Sequence, residues 1–157
     1  MGQMESRNPA TEELLATYET LSDGEIEARL EAAVQGFRHQ RQTPIDERAQ
    51  LMVRAADVLE QNRNHYADMI TAEMGKPIVA ARAEVEKCAW VCRYYAENGP
   101  AFMADRDQPS GASRSFVRPL PIGPVLAVMP WNFPFWQVFR FAAPAVSYTH
   151  LTLPTNA

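Results

Sequence analysis

Cysteine is scarce in this chain of 157 residues: there are two, Cys88 and Cys92. They lie one helical turn apart, with no histidine or third cysteine at metal-ligand spacing, and a disulfide inside one helix is geometrically poor. The expectation is a pair of small buried side chains, with no metal site and no nucleophile. No two Lys or Arg residues are adjacent and the net charge is −4, so no nucleic-acid surface is expected. No run approaches the roughly 20 apolar residues that a membrane span needs. The opening MGQMESRNPATEE has no apolar signal core, which predicts a cytoplasmic protein. Its Met-Gly start, with only Ser6 in support, is too little for a lipidation signal. Internal repeats and low-complexity stretches are absent. His39, His65 and His150 have no partners at catalytic spacing, and solvated or capping roles are expected for them.

What is present is ordinary globular composition, 46% hydrophobic and 22% charged, and a length that supports one domain burying roughly 70% of its unfolded surface. Four helices can be read in order. Ser22-Asp23-Gly24-Glu25 is a capping-box pattern, opening an amphipathic stretch marked by Ile26, Leu30, Ala33 and Phe37. Thr43 as cap and Pro44 in the first turn restart a helix whose buried stripe is Leu51, Met52, Ala55, Val58 and Leu59. A third helix runs from about Arg63 through Tyr66, Met69 and Ile70, and Gly75 with Pro77 stops it. Pro77 starts the longest helix, which carries Val85, Cys88, Ala89, Cys92 and Tyr95 on one face and is expected to end at Asn98-Gly99-Pro100. Glu73, Glu84 and Glu86 have Lys and Arg neighbours on these helices and read as solvated faces.

Beyond residue 105 the pattern changes. Asp107 to Gly111 reads as a loop, and Arg114 to Arg118 as a half-exposed strand. Pro121-Ile122-Gly123-Pro124 is a turn. Val125 to Met129 is continuously apolar and bounded by prolines, as in a parallel-sheet strand buried on both faces. Pro130-Trp131-Asn132-Phe133-Pro134 follows at once, then a helical run with Phe135, Val138, Phe141 and Ala142. Strand, tight loop and helix are the opening of an α/β domain, and no other apolar strand is present to flank the first. The pattern therefore predicts a chain that stops as a sheet begins. Read from its residues alone, Asn132 fits a helix cap or turn position, and Trp131 a buried aromatic anchor.

The stretch PIGPVLAVMPWNFP, Pro121 to Pro134, resembles the aldehyde dehydrogenase superfamily. Arg48 to Leu51, Glu73-Met74-Gly75-Lys76-Pro77 and Asn8-Pro9-Ala10-Thr11 match further family motifs. Glu12 stands where that opening motif usually has glycine. The likeness covers roughly residues 8 to 145 and is greatest to bacterial succinate-semialdehyde dehydrogenases. It implies an α/β fold: N-terminal helices and then the start of a Rossmann-like cofactor domain. Residues 1–145 would be part of that domain, and 105–122 the possible start of a β-extension through which family members form homo-oligomers. It also implies oxidation of an aldehyde to its acid, with NAD or NADP as hydride acceptor and a cysteine thiolate as nucleophile. The side-chain amide of Asn132 would donate a hydrogen bond to the tetrahedral oxyanion, and Trp131 and Asn132 would border the cofactor. Such a donor contributes about 3 kcal/mol of transition-state stabilisation.

The likeness lapses after Pro144. Residues 146–157 read as a tail foreign to the family, and the family's nucleophile, general base, glycine-rich loop and cofactor lysine are not found. Residues 1–157 are thus expected to be inactive alone. A different class of reading is a small helical interaction module without chemistry, supported by the amphipathic helices and the lack of a nucleophile–base pair.

Overall fold

A computed structural model describes residues 2–148 of the chain. The elements in order are strands β1 (Gln3–Arg7) and β2 (Leu14–Glu19), helices α1 (Asp23–Gln40), α2 (Ile45–Gln61), α3 (Arg63–Met74) and α4 (Ile78–Met103), strands β3 (Arg106–Asp107) and β4 (Phe116–Val117), and helix α5 (Pro134–Tyr148). Both strand pairs are antiparallel and separate from each other. No described helix is long and apolar enough to cross a membrane.

The helix starts follow local chemistry. Ser22 Oγ accepts from the Glu25 amide at 3.4 Å while the Glu25 carboxylate accepts the Ser22 amide at 2.8 Å, so both halves of the capping box form. Gly75 ends α3 in the left-handed region at φ 75°, its N–H on the Thr71 carbonyl at 2.9 Å. A methyl group there would also press on the Pro9 ring at 3.0 Å, so the β1–β2 turn is seated on the one residue that leaves it room. Pro44 takes the cap position of α2 itself, one residue from the position expected, and no side chain caps that helix.

The core lies where α2, α3, α4 and α5 meet. Ala56, Leu59, Ala67, Ile70, Ala81, Val85, Cys88, Ala89, Val91, Cys92 and Ala143 are its buried members, and α4 contributes at the helical spacing of 81, 85, 88 and 92. It does not end at Asn98. The helix runs on through Pro100 to Met103; the Asn98 side-chain Nδ2 donates back to the Tyr94 carbonyl at 2.8 Å, and the rings of Tyr94 and Phe102 lie 6.4 Å apart across Pro100. Helix α1 forms as expected but has no fully buried residue: Ile26 is 43% and Leu30 56% exposed, while Ala33, Val34 and Phe37 are half-buried. Its capping box satisfies donors of the first turn that would otherwise be left open.

The chain is thus a mixture of helix and strand, but Val125–Met129 is not a strand buried on both faces. The segment has no ladder partner, and Leu126 and Val128 are 88% and 86% exposed. Half-buried and exposed residues alternate along it, as in an extended chain, and Val125 touches Ala142 and Ala145 of α5. A strand needs hydrogen bonds from neighbours on its edges, and residues 2–148 supply none there. The hairpin β1–β2, which the sequence did not announce, is exposed along nearly all of both strands.

Candidate active site

Helix α5 begins under an unusual constraint. The residue before it, Phe133, has no side-chain acceptor, and its first residue, Pro134, has no N–H. The next two amides, of Phe135 and Trp136, both donate to one oxygen of Glu84, at 2.9 and 3.0 Å. The amide of Gln137 then makes the first bond within the helix, to the Phe133 carbonyl at 2.9 Å. Every donor of the first turn is therefore satisfied, two of them by a carboxylate from a helix 51 and 52 residues earlier in the chain.

Glu84 is not on a solvated face. The residue is 4% exposed and its other oxygen is ion-paired with Lys76. It sits on the same stripe as Ala81 and Cys88, three residues after one and four before the other, and that position on an apolar stripe was the signal available in the sequence. Glu73 and Glu86 behave more nearly as expected: Glu86 pairs with Arg63 at 2.5 Å and both partners are about half exposed. The Lys76 ammonium lies 3.6 Å from the centre of the Phe133 ring, and that of Lys87 lies 4.1 Å from the Trp136 ring. Lys76 and Glu84 thus hold the motif on both sides of Pro134. At the other end of α5 the buried Arg48 donates to the Ser147 carbonyl at 3.3 Å. Burial lowers its pKa below the usual guanidinium range. Carboxylate at the start and guanidinium at the end both suit the helix dipole.

Asn132 is exposed in the turn before α5, on the wall of an open cleft of about 530 Å³ shared with Lys76, Glu84, Lys87, Phe133, Trp136, Gln137 and Arg140. Its carbonyl oxygen accepts from Gln137 Nε2 at 3.3 Å. That bond fixes which way the carboxamide faces and leaves its NH₂ as a donor, with no acceptor for it among the described residues. Trp131, 60% exposed, borders a separate and smaller cleft of about 100 Å³ beside Met69, Ile70, Glu73 and Phe135. The structure therefore places Trp131 and Asn132 on two sides of the turn, not in one pocket. Trp131 is not a buried anchor.

The remaining candidates are placed as follows. Cys88 and Cys92 are fully buried free thiols. Burial, with the Glu84 carboxylate second, pushes the Cys88 thiol far up, and burial pushes Cys92 up to about 11. Neither is a nucleophile. His65 rests against Tyr66, ring centres 5.6 Å apart. His39 lies in the last turn of α1. His150 and tail residues 149–157 lie outside the described residues.

The chain is 50% identical over 150 residues to a probable succinate-semialdehyde dehydrogenase [NADP(+)] of Synechocystis sp., a match that covers 96% of this chain and 33% of that protein. It is 46% identical over 153 residues to succinate-semialdehyde dehydrogenase [NADP(+)] 1 of Mycobacterium bovis, again 96% of this chain and 34% of the other. The chain thus spans about a third of the length of the curated relatives it matches. Its fold matches the crystal structure of succinic semialdehyde dehydrogenase from Streptococcus pyogenes in complex with NADP+, with a TM-score of 0.87 at 29% identity over 94% of this chain and 33% of that one. It also matches succinate-semialdehyde dehydrogenase from Burkholderia pseudomallei, with a TM-score of 0.88 at 30% identity over 96% and 32%. The model of the aldehyde dehydrogenase family matches residues 1–149, so the chain belongs to that family.

Proposed function

We propose that residues 1–145 are part of the cofactor-binding domain of an NAD(P)-dependent dehydrogenase that oxidises succinate semialdehyde, and that Asn132 donates to the oxyanion formed at the aldehyde carbon. The observation that carries this reading is the Asn132 carboxamide, oriented by Gln137 with its NH₂ unclaimed, in a cleft lined by three cations and one carboxylate. Succinate semialdehyde has an aldehyde at one end and a carboxylate at the other. An uncharged donor for the first and the Lys87 and Arg140 cations for the second lie along the same wall. The Glu84 charge does not oppose this, because Lys76 neutralises it.

The nicotinamide cofactor supplies the hydride acceptor. The residues present fit it to this extent: the Trp131–Asn132 turn is exposed at the head of a helix, the position at which α/β folds bind such ligands. NADP as the cofactor is supported by the NADP(+) relatives and by the Streptococcus pyogenes enzyme solved with NADP+. The thiolate lies elsewhere in a protein of full family length, since both thiols of this chain are buried with raised pKa. Homo-oligomerisation through residues 105–122 belongs to the same proposal. It is supported by the exposure of both strands of the β3–β4 pair, which leaves their edges open to a second copy. A cytoplasmic setting is compatible with two free thiols.

The test has two arms. This chain alone, given succinate semialdehyde and NADP+, is expected to give no rise in reduced cofactor; measurable turnover would overturn the placement of the nucleophile. In an enzyme of full family length carrying this segment, Asn132→Ala should lower kcat by about 10²–10³-fold with little change in KM. Unchanged kcat would reduce Asn132 to a turn residue.

A further inference from the structure

We infer that Glu84, braced by Lys76, is a positioning residue for the Asn132 donor. This rests on the proposed role of Asn132 and adds what holds it in place. The motif loop has no cap of its own, because Phe133 offers no acceptor and Pro134 no donor. Its geometry is set from outside, by one buried carboxylate oxygen that receives the Phe135 and Trp136 amides at 2.9 and 3.0 Å. The other oxygen is committed to Lys76, whose ammonium also sits over the Phe133 ring at 3.6 Å.

The chain of contacts is short. Glu84 fixes the first turn of α5, and Gln137 on that turn holds the Asn132 carbonyl at 3.3 Å. Asn132 makes no hydrogen bond with Glu84 itself among the described residues, so the effect passes through the helix start. A helix whose first amides are tied to a rigid neighbour cannot roll or fray at that end. Helix α4 is the rigid neighbour: Ala81, Val85 and Cys88 on either side of Glu84 are fully buried. A donor aimed at a developing oxyanion must be held before the reaction begins, and this arrangement does so without placing a charge on the donor.

Amide hydrogen exchange on this chain tests the contact without relying on activity. Glu84→Ala should raise exchange at Phe135 and Trp136 by about tenfold or more relative to the wild type. The Cys88 and Cys92 amides should change far less. Glu84→Gln retains an acceptor oxygen and should keep most of the protection. Glu84→Met, which lacks an acceptor but fills the space, replaces the alanine variant if that does not fold, and exchange at Phe135 and Trp136 unchanged from wild type in whichever of the two folds would overturn the inference. In the enzyme of full family length, Glu84→Met should lower kcat more than it raises KM, and Glu84→Gln should retain most of the wild-type kcat. Asn132→Ala with Glu84→Met should be no slower than Asn132→Ala alone. Losses that multiply would show that Glu84 acts independently of Asn132 and would overturn the positioning role. If Asn132→Ala itself has no effect while the exchange result holds, the proposed role of Asn132 fails and the cap stands.

Discussion

Residues 78–103 and residues 118–133 are both rich in apolar side chains, yet the first is the centre of the core and the second lies largely open. In α4, Val85, Cys88 and Cys92 are completely buried, whereas in the later segment Leu120, Ile122, Leu126 and Val128 are 70–88% exposed. Hydrophobicity does not separate them. Backbone hydrogen bonding does: a helix closes its own bonds and then has one face left to bury, but an extended segment must borrow bonds from neighbours before its side chains can be covered. The motif loop joins the two regimes. Its last residues are drawn into the core by Glu84, and its first are not.

The comparison is sharpened most strongly in the core. Ile70, 2% exposed, packs with α4 at the junction of three helices, so Ile70→Ala should cost about 2–5 kcal/mol in chemical or thermal unfolding. The buried thiols give a second readout. Cys88 and Cys92 should resist thiol reagents in the native chain and become labelled faster in this variant. A cost below 1 kcal/mol would mean that the helical half is loosely packed after all, and the contrast with the extended segment would weaken.

A smaller effect is expected at α1, whose first turn is capped while none of its residues is fully buried. Ser22→Ala removes the acceptor for the Glu25 amide and should cost about 1 kcal/mol, read as loss of helicity in the first turns of α1 with the core transition little changed. If the whole chain melts earlier by as much as the Ile70 variant, α1 is coupled to the core more tightly than its exposure indicates.

The opposite sign is expected at Glu12. It has φ 62°, left-handed backbone that disfavours a side chain, and its amide closes the β1–β2 turn on the Asn8 carbonyl at 2.8 Å. Glu12→Gly relieves about 1–2 kcal/mol of strain and returns about 0.5–1 kcal/mol as added freedom of the unfolded chain. The net is a gain of about 0–1.5 kcal/mol, visible as slower exchange of the hairpin amides. Destabilisation would mean that the Glu12 side chain makes a contact worth more than the strain.

Much of this was legible in advance, for physical reasons that differ by element. Ser22 and Gly75 announced their helix ends because each does its work through local backbone chemistry. The strands β1 and β2 did not announce themselves, since neither buries a face and no alternation of apolar and polar residues results. Asn132 was legible only through its motif. Glu84 was readable as a charge on the stripe of Ala81 and Cys88, but its partners, two amides some 50 residues later, follow from how α4 and α5 cross and not from any local pattern. Val125–Met129 was legible as an apolar segment with no strand beside it to pair with, and it is indeed extended and open, with Leu126 and Val128 88% and 86% exposed. Burial on both faces was not reached because an apolar run records what the residues would bury if covered, not what covers them.

The smallest effect on stability should come from that segment. Leu126 is 88% exposed, so Leu126→Ser removes little burial and should shift unfolding by less than about 0.5 kcal/mol. Ile70 and Leu126 are side chains of nearly equal size, so comparing Ile70→Ala with Leu126→Ala, which should also shift unfolding by less than about 0.5 kcal/mol, shows how much of apolar stabilisation is owed to a partner. Self-association should respond differently. An extended, unpaired segment with exposed Leu126 and Val128 can take backbone bonds from a second copy, which buries the same side chains. Light scattering at rising concentration should then show less association for the Leu126→Ser, Val128→Ser double variant than for the wild type, at unchanged melting temperature. Were the double variant to melt several degrees earlier, residues 125–129 would be contributing to the core of the single chain, and the line drawn here between the two regions would have to move.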